Sequence, residues 1–296
     1  MGMFDRLIVG IDGSEGSLHA LRWASAQIVD GEIIAVHGFS PGEQLIAAAA
    51  QVSLDGVRSR HYEFLQDQWI QPASDFGIKP RCEMFDDSGA NALMTAASTH
   101  GSATIVVGHE GRRGWPHQHV GSTPAKLLHR CDDPLIITTP DTNAEPLSGP
   151  IVVGISGSAD LDSAHMNWSA GLAQEMGLTL NLVGVNQPPT YFDPNLAVDS
   201  RFLMDANAES MRDLVSAVRS RYPLLAVRGE VRNGLATEEL AAASVEHVAG
   251  IVALGNHHPS VAAALLSGSV LRHLPSMISC PMAAIPAVWQ ADPSGS

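Results

Sequence analysis

Apolar residues in this chain fall into short β-branched runs separated by stretches of helical spacing. The first run, Leu7-Ile8-Val9-Gly10-Ile11, is continuous rather than alternating, and it predicts a strand buried on both faces. Asp12-Gly13-Ser14 ends it. Leu18, Leu21, Trp23 and Ile28 then recur at spacings that predict an amphipathic helix. Glu32–Phe39 predicts a second strand, Val57–Trp69 a helix and Ile78–Phe85 a third strand. Asp87-Ser88-Gly89 opens a predicted helix over Ala90–Ser98, and Ile105-Val106-Val107 predicts a fourth buried strand. Leu127 and Leu128 mark one more helix, and Pro134-Leu135-Ile136-Ile137 a last strand. Strands alternating with helices predict an α/β fold, an open parallel sheet with helices on both faces.

The pattern then restarts. Ile151-Val152-Val153-Gly154-Ile155-Ser156-Gly157-Ser158 mirrors Leu7–Ser14, and Trp168 mirrors Trp23. Gly255 and Gly268-Ser269 lie 147 residues beyond Gly108 and Gly121-Ser122, and Pro281 repeats Pro134 in the same way. A period this long is a duplicated domain rather than a solenoid. The stretch between the copies, rich in Pro, Ser, Gly and Asn, reads as a linker. The expected organisation is a first domain at 1–140, a linker at 141–150, a second domain at 151–289 and a tail at 290–296.

Composition narrows the function classes. With 45% hydrophobic and 16% charged residues over 296 positions, the chain reads as globular, with room for two cores. A net charge of −14 argues against non-specific nucleic-acid binding, which needs a basic surface to displace counterions. The longest apolar runs, Leu45–Ala50 and Val261–Leu266, are too short to span a bilayer, and the first residues lack the basic and apolar regions of a signal peptide. Three scattered cysteines (Cys82, Cys131, Cys280) form no disulfide framework or zinc spacing and are expected to be packing residues. The expected compartment is the cytoplasm.

The chemistry concentrates between Ala103 and Pro140. The fourth strand ends at Gly108; Gly111 follows after two residues, and Gly121-Ser122 after nine more, at the mouth of the next helix. Glycines let backbone approach a ligand closely, and the unpaired N–H groups of a helix start attract an anion. Ser122 adds a hydroxyl, and Pro124 is tolerated because its missing N–H would have had no partner there. Strand, glycine-punctuated loop and helix N-terminus together make a phosphate cradle.

This G-x2-G-x9-G-[ST] spacing resembles the ATP-binding signature of the universal stress proteins, and the resemblance continues through Leu127-Leu128-His129-Arg130 and Pro134-Leu135-Ile136-Ile137. It implies two tandem five-stranded sheets in strand order 3-2-1-4-5, with the ligand crevice between strands 1 and 4. It further implies ATP as ligand, with Mg²⁺ or Mn²⁺ held by Asp12 beside Gly10 and Ile11. Val36 and His37 stand at the adenine edge, Gly108, His109, Gly111, Gly121, Ser122 and Thr123 around the phosphates. Arg112 and Arg113 could pair with phosphate oxygens. Asp12 also reads as a helix N-cap, and the arginines as a solvated loop. Where the family commonly has a second hydroxyl two residues after the serine, this chain has Pro124, with Thr123 as the nearest substitute. The family's last strands pair, so an internal pseudo-dimer and an outer homodimer are expected.

The second half departs further: Ser156 replaces the aspartate and His258 the second loop glycine, so its motif reads as degenerate. His109, His117, His119 and His129 are close in sequence but lack a Cys or carboxylate partner at ligand spacing. No general base is evident for hydrolysis. The expected function is a nucleotide-dependent stress sensor or regulator without strong catalysis. The alternatives are a nucleotide-free structural protein or, from Ser156-Gly157-Ser158-Ala159-Asp160, an ATP-pyrophosphatase-like enzyme.

Overall fold

The computed structural model describes residues 2–40, 53–101, 104–110, 120–156, 161–187, 200–256 and 267–290, with backbone alone at 200–206 and 267–269. The chain divides into two compact units, Met1–Pro146 and Leu147–Ala291.

In unit 1 the apolar runs become strands β1 (Arg6–Gly10), β2 (Glu32–Gly38), β3 (Arg81–Phe85), β4 (Thr104–Gly108) and β5 (Leu135–Thr138). The helices are α1 (Glu15–Gln27), α2 (Leu54–Phe64), a short α3 (Gln71–Ser74), α4 (Gly89–His100) and α5 (Ser122–Arg130). A π-helical turn, Leu65–Trp69, links α2 to α3. The strands pair in parallel in the order β3-β2-β1-β4-β5, with Val9 set opposite Ala35 on one side and Val106 on the other. That is the order implied by the resemblance. The middle strands are continuous apolar runs because both faces are covered: Leu7, Ile8, Val9, Ile34, Ala35, Ile105 and Val106 are buried. α1 buries Ala20, Leu21, Trp23 and Ala24, and Phe4 meets Trp23 edge-on at 5.9 Å.

Two boundaries differ from the sequence expectation for local reasons. The third strand begins at Arg81 rather than Ile78, because Pro80 has no N–H to give the ladder and Ile78 instead donates to the Ala73 carbonyl. The helix after β1 is capped by Ser14, whose hydroxyl accepts the Ser17 N–H at 3.2 Å, so Asp12 is not the cap.

Unit 2 repeats the architecture with β6 (Ile151–Ile155), β7 (Leu180–Asn186), β8 (Val227–Asn233), β9 (Ile251–Asn256) and β10 (Met282–Pro286). Its helices are α6 (Ala164–Met176), α7 (Ser200–Arg221), α8 (Ala236–Glu246) and α9 (Ser267–His273). The parallel order is β8-β7-β6-β9-β10. α6 buries Met166, Trp168 and Leu172, and it stops at Gly177, whose left-handed φ of 66° ends a helix at little cost.

The stretch read as a linker is anchored at several points to the unit on its own side. In unit 1 the Thr142 carbonyl accepts from His19 Nε2 (2.6 Å) and the Glu145 carbonyl from Gln27 Nε2 (2.9 Å), both on α1. In unit 2, Leu147 is buried, and the Gly250 N–H donates to the Pro150 carbonyl. Among the described residues, no helix is long and apolar enough to cross a membrane.

Cys131 and Cys280 are buried, and burial pushes both thiols up to about 12. Cys82 is half-buried, and burial raises it too, against the pull of Lys79. Since the thiolate is the reactive form, a thiol reagent at pH 8 should modify Cys82 first and reach Cys131 and Cys280 only on unfolding. Equal labelling rates for all three in the folded protein would contradict this packing.

Candidate functional site

The carboxyl ends of β1, β2 and β4 collect most of the residues singled out in the sequence. At the end of β1, Ile11 is buried and donates its N–H to the Val36 carbonyl at 2.9 Å, so this part of the β2 edge is spent on the sheet. Gly10 lies against Leu93 of α4 and Val107, which makes it a packing position. Asp12 follows, partly exposed, and its Oδ1 accepts from the Ser14 N–H (2.9 Å) and the Ser14 hydroxyl (2.5 Å). The Asp12 N–H donates to Ser17 Oγ at 3.3 Å. This side-chain-closed turn holds the carboxylate at the crevice ahead of α1.

At the end of β2, His37 is 2% exposed and its Nδ1 lies 2.8 Å from the Ile11 carbonyl. A carbonyl only accepts, so Nδ1 carries the proton; in the neutral ring Nε2 is then an acceptor, and His61 Nδ1 donates to it at 3.3 Å. Trp69 stands edge-on to His37, with ring centroids 5.0 Å apart, and Phe39 and Phe64 extend the cluster through His61 and Trp69. Gly13 is required beneath it. Its φ is +76°, and an added Cβ would lie 2.5 Å from Trp69 Nε1. The indole thus packs directly on the turn that carries Asp12.

His61 and Trp69 were not among the residues singled out in the sequence. A signal was available: His61, Leu65 and Trp69 recur at four-residue intervals, which puts them on one helical face, with Leu65 as its buried centre. The wide π turn over Leu65–Trp69 is a local feature often found at functional sites.

At the end of β4, the backbone of Gly108 touches that of α1: an added Cβ would lie 2.5 Å from the Gly16 carbonyl group. Gly16 in turn meets the Glu110 carbonyl too closely for any side chain. These two glycines bring the β1 turn and the start of the phosphate loop together. His109 is buried, donates its N–H to Thr138 and accepts from the Gly121 N–H, both at 2.8 Å. Its backbone therefore joins the two ends of the loop. Gly121 is the N-cap of α5 and supplies no side-chain cap. Ser122 is exposed and Thr123 half-buried, and their N–H groups in the first helical turn have no partner among the described residues. An anion fits there. Thr123 also faces Gly89 at the start of α4. Gly111, Arg112, Arg113, His117, His119 and, in unit 2, Ser158 and His258 lie outside the described residues. Ser156, at the position of Asp12, is exposed, and Gly268 and Ser269 lie in the first turn of α9.

A family model described as the universal stress protein family matches residues 3–139. A universal stress protein of Mycobacterium tuberculosis is 24% identical over 279 residues, spanning 89% of this chain and 90% of that protein. One of Mycolicibacterium smegmatis is 27% identical over 161 residues, or 51% of this chain and 54% of that protein. The crystal structure of a universal stress protein from Archaeoglobus fulgidus superposes with a TM-score of 0.64 at 15% identity, covering 96% of this chain and 97% of that one, and shares the fold. Residues 3–139, which hold the glycine loop at the mouth of α5, match the universal stress protein family, and the chain as a whole is similar to universal stress proteins.

Proposed function

We propose that unit 1 binds ATP with Mg²⁺ at the carboxyl ends of β1 and β4 and that the chain acts as a nucleotide-dependent regulator rather than an efficient enzyme. The observation that carries this reading is the start of α5. Its first-turn N–H groups at Ser122 and Thr123 have no capping partner among the described residues and follow a strand that ends on Gly108. Uncapped donors and the positive end of the helix dipole are matched by phosphate. The Ser122 hydroxyl adds a donor, and Thr123 takes the place left by Pro124.

Asp12 suits a divalent ion in this setting. A single carboxylate at a strand end is a common protein contribution to Mg²⁺, which completes its shell with phosphate oxygens and water. The Ser14 bonds to Oδ1 orient that carboxylate. Mg²⁺ would offset repulsion between Asp12 and the phosphates. The half-buried rings of His61 and Trp69, backed by the buried His37, stand at the end of β2, where a heterocyclic base would pack against them. Cytoplasmic residence, a homodimer and pairing of the two units' last strands belong to the same proposal.

Calorimetric titration with ATP tests it. The wild-type chain should bind saturably with Mg²⁺ present, and Asp12→Asn should weaken Mg²⁺·ATP about tenfold while sparing metal-free ATP, since only the metal needs the charge. Absence of saturable ATP binding would favour a nucleotide-free interaction protein instead.

A further inference from the structure

Both units have a groove between the edge strand of the sheet and the helix that precedes it, and the two copies differ in charge. In unit 1 the groove encloses about 380 Å³ between α2 and β3 and is lined by Arg58, Tyr62, Cys82, Glu83, Met84 and Phe85. Its charges are neutralised in place. Arg58 pairs with Asp86 at 2.7 Å, and Glu83 holds both Arg81 and His100 at 3.0 Å.

In unit 2 the groove between α7 and β8 grows to about 640 Å³. Its polar residues are Arg212, Arg219, Arg228, Ser216 and Ser220, over a floor of Met211, Val215 and Gly229. Gly229 stands where unit 1 has Cys82, and an added Cβ there would lie 2.6 Å from Val215 Cγ2, so the glycine lets α7 sit close. Arg228 corresponds to Arg81 and Glu230 to Glu83, but here the glutamate is already engaged. Arg232 binds it at 2.6 Å and His247 at 3.1 Å. Burial works against the charge on Glu230, yet the bonds from Arg232 and His247 outweigh it and hold the carboxyl below its usual range.

Among the described residues, Arg228 is therefore left with no carboxylate, and neither Arg212 nor Arg219 has one. Arg212 donates to the Ala208 carbonyl, and Arg219 commits one N–H to the Val227 carbonyl at 2.7 Å, which fixes it across the groove with its other donors uncommitted. The Ser220 hydroxyl donates to the Ser216 carbonyl, which leaves the Ser216 hydroxyl as a further donor. In a chain of net charge −14, three arginines without acidic partners among the described residues around one groove are a local reversal of sign. Edge-strand protection accounts for a charge on β8. It does not account for Arg212 and Arg219, which stand on the helix.

From this contrast between the repeats we infer that the groove between α7 and β8 is an anion site for a small molecule carrying two or more phosphate or carboxylate groups. Arg212 and Arg219 are two helical turns apart, about 10 Å along the axis, with Arg228 on the facing strand. Linked anionic groups can meet both ends, and guanidinium groups pair with phosphate or carboxylate oxygens two at a time. The site is separate from the phosphate loop of unit 1 and does not depend on the ATP reading.

The test is calorimetric titration of inorganic triphosphate into the full chain carrying Gly111→Glu, which blocks the loop of unit 1, at fixed ionic strength. Saturable uptake is expected. Arg212→Ala and Arg228→Ala should each weaken it about tenfold, and the pair about a hundredfold. Arg22→Ala, an exposed arginine on α1, should leave it unchanged. Since Arg212 and Arg228 are exposed, folding is not at stake, and Arg212→Lys should give an intermediate loss. The inference falls if triphosphate shows no saturable binding, or if Arg22→Ala weakens it as much as Arg212→Ala does. It also falls if a hexaglutamate peptide binds more tightly than triphosphate, which would make the groove a protein-docking surface.

Discussion

Titrated with ATP and Mg²⁺, the intact chain should take up one nucleotide tightly, and Gly111→Glu should abolish that uptake. The asymmetry is argued from the two copies of one motif. Unit 1 has Asp12, Gly108, Gly111 and Gly121-Ser122, whereas unit 2 has Ser156 for the aspartate and His258 for the second loop glycine. A hydroxyl in place of a carboxylate gives up the metal bridge, and a side chain at a position of close backbone approach obstructs phosphate. Two losses of about 1.4 kcal/mol each would lower affinity about a hundredfold if additive. In unit 1, a glutamate at 111 both fills the cradle and repels phosphate. Labelled ATP at equilibrium decides the matter. Two equivalent sites per chain would mean that unit 2 reads phosphate by another arrangement, and undiminished binding by Gly111→Glu would remove the loop from the site.

Replacing either repeated tryptophan should cost the fold more than any change at the crevice. Trp23 is 1% exposed and Trp168 fully buried, each on the helix that follows the first strand of its unit. α1 packs on β1, β4 and β5, and α6 on β6, β9 and β10, so each indole sits under the centre of its sheet. Truncation to alanine removes its buried area and leaves a cavity that the stiff β-branched strands cannot fill, for a loss of about 3–5 kcal/mol. Trp23→Ala also forfeits the edge-on contact with Phe4, worth about 0.5–1.5 kcal/mol more. Denaturant unfolding followed by circular dichroism measures both. A loss below about 1 kcal/mol at either position would mean that the helix can collapse onto its sheet without the indole.

What the sequence by itself determined are the features set by short-range chemistry. Short continuous β-branched runs bounded by turn residues read as strands covered on both faces, so β1, β4 and β6 were legible, as was the duplication through its constant offset. The start of α5 was legible because glycine, serine and proline mark a helix mouth through backbone rules of their own. Strand order came from the family resemblance, and the pairing of β1 between β2 and β4 bears it out.

The tertiary structure decided which residues stand opposite one another. Nothing local says that Trp69 covers Gly13: that contact joins a crossover helix to the turn after β1, and its geometry depends on how α2 and the π turn lie over the ends of β1 and β2. The same is true of His37. Its periodicity marks a strand end, but its bonds to the Ile11 carbonyl and to His61 require both neighbours in place. Gly10 packs against Leu93, and the backbone of His109 bonds those of Thr138 and Gly121, contacts that no local pattern in the sequence names. Arg228 and Arg81 occupy the same place in the repeat, and the presence of Arg232 beside Glu230 leaves Arg228 without a carboxylate among the described residues, while Arg81 is neutralised by Glu83. A charge is not a site until its surroundings show what it is paired with, and in this chain those partners come from strands and helices distant in sequence.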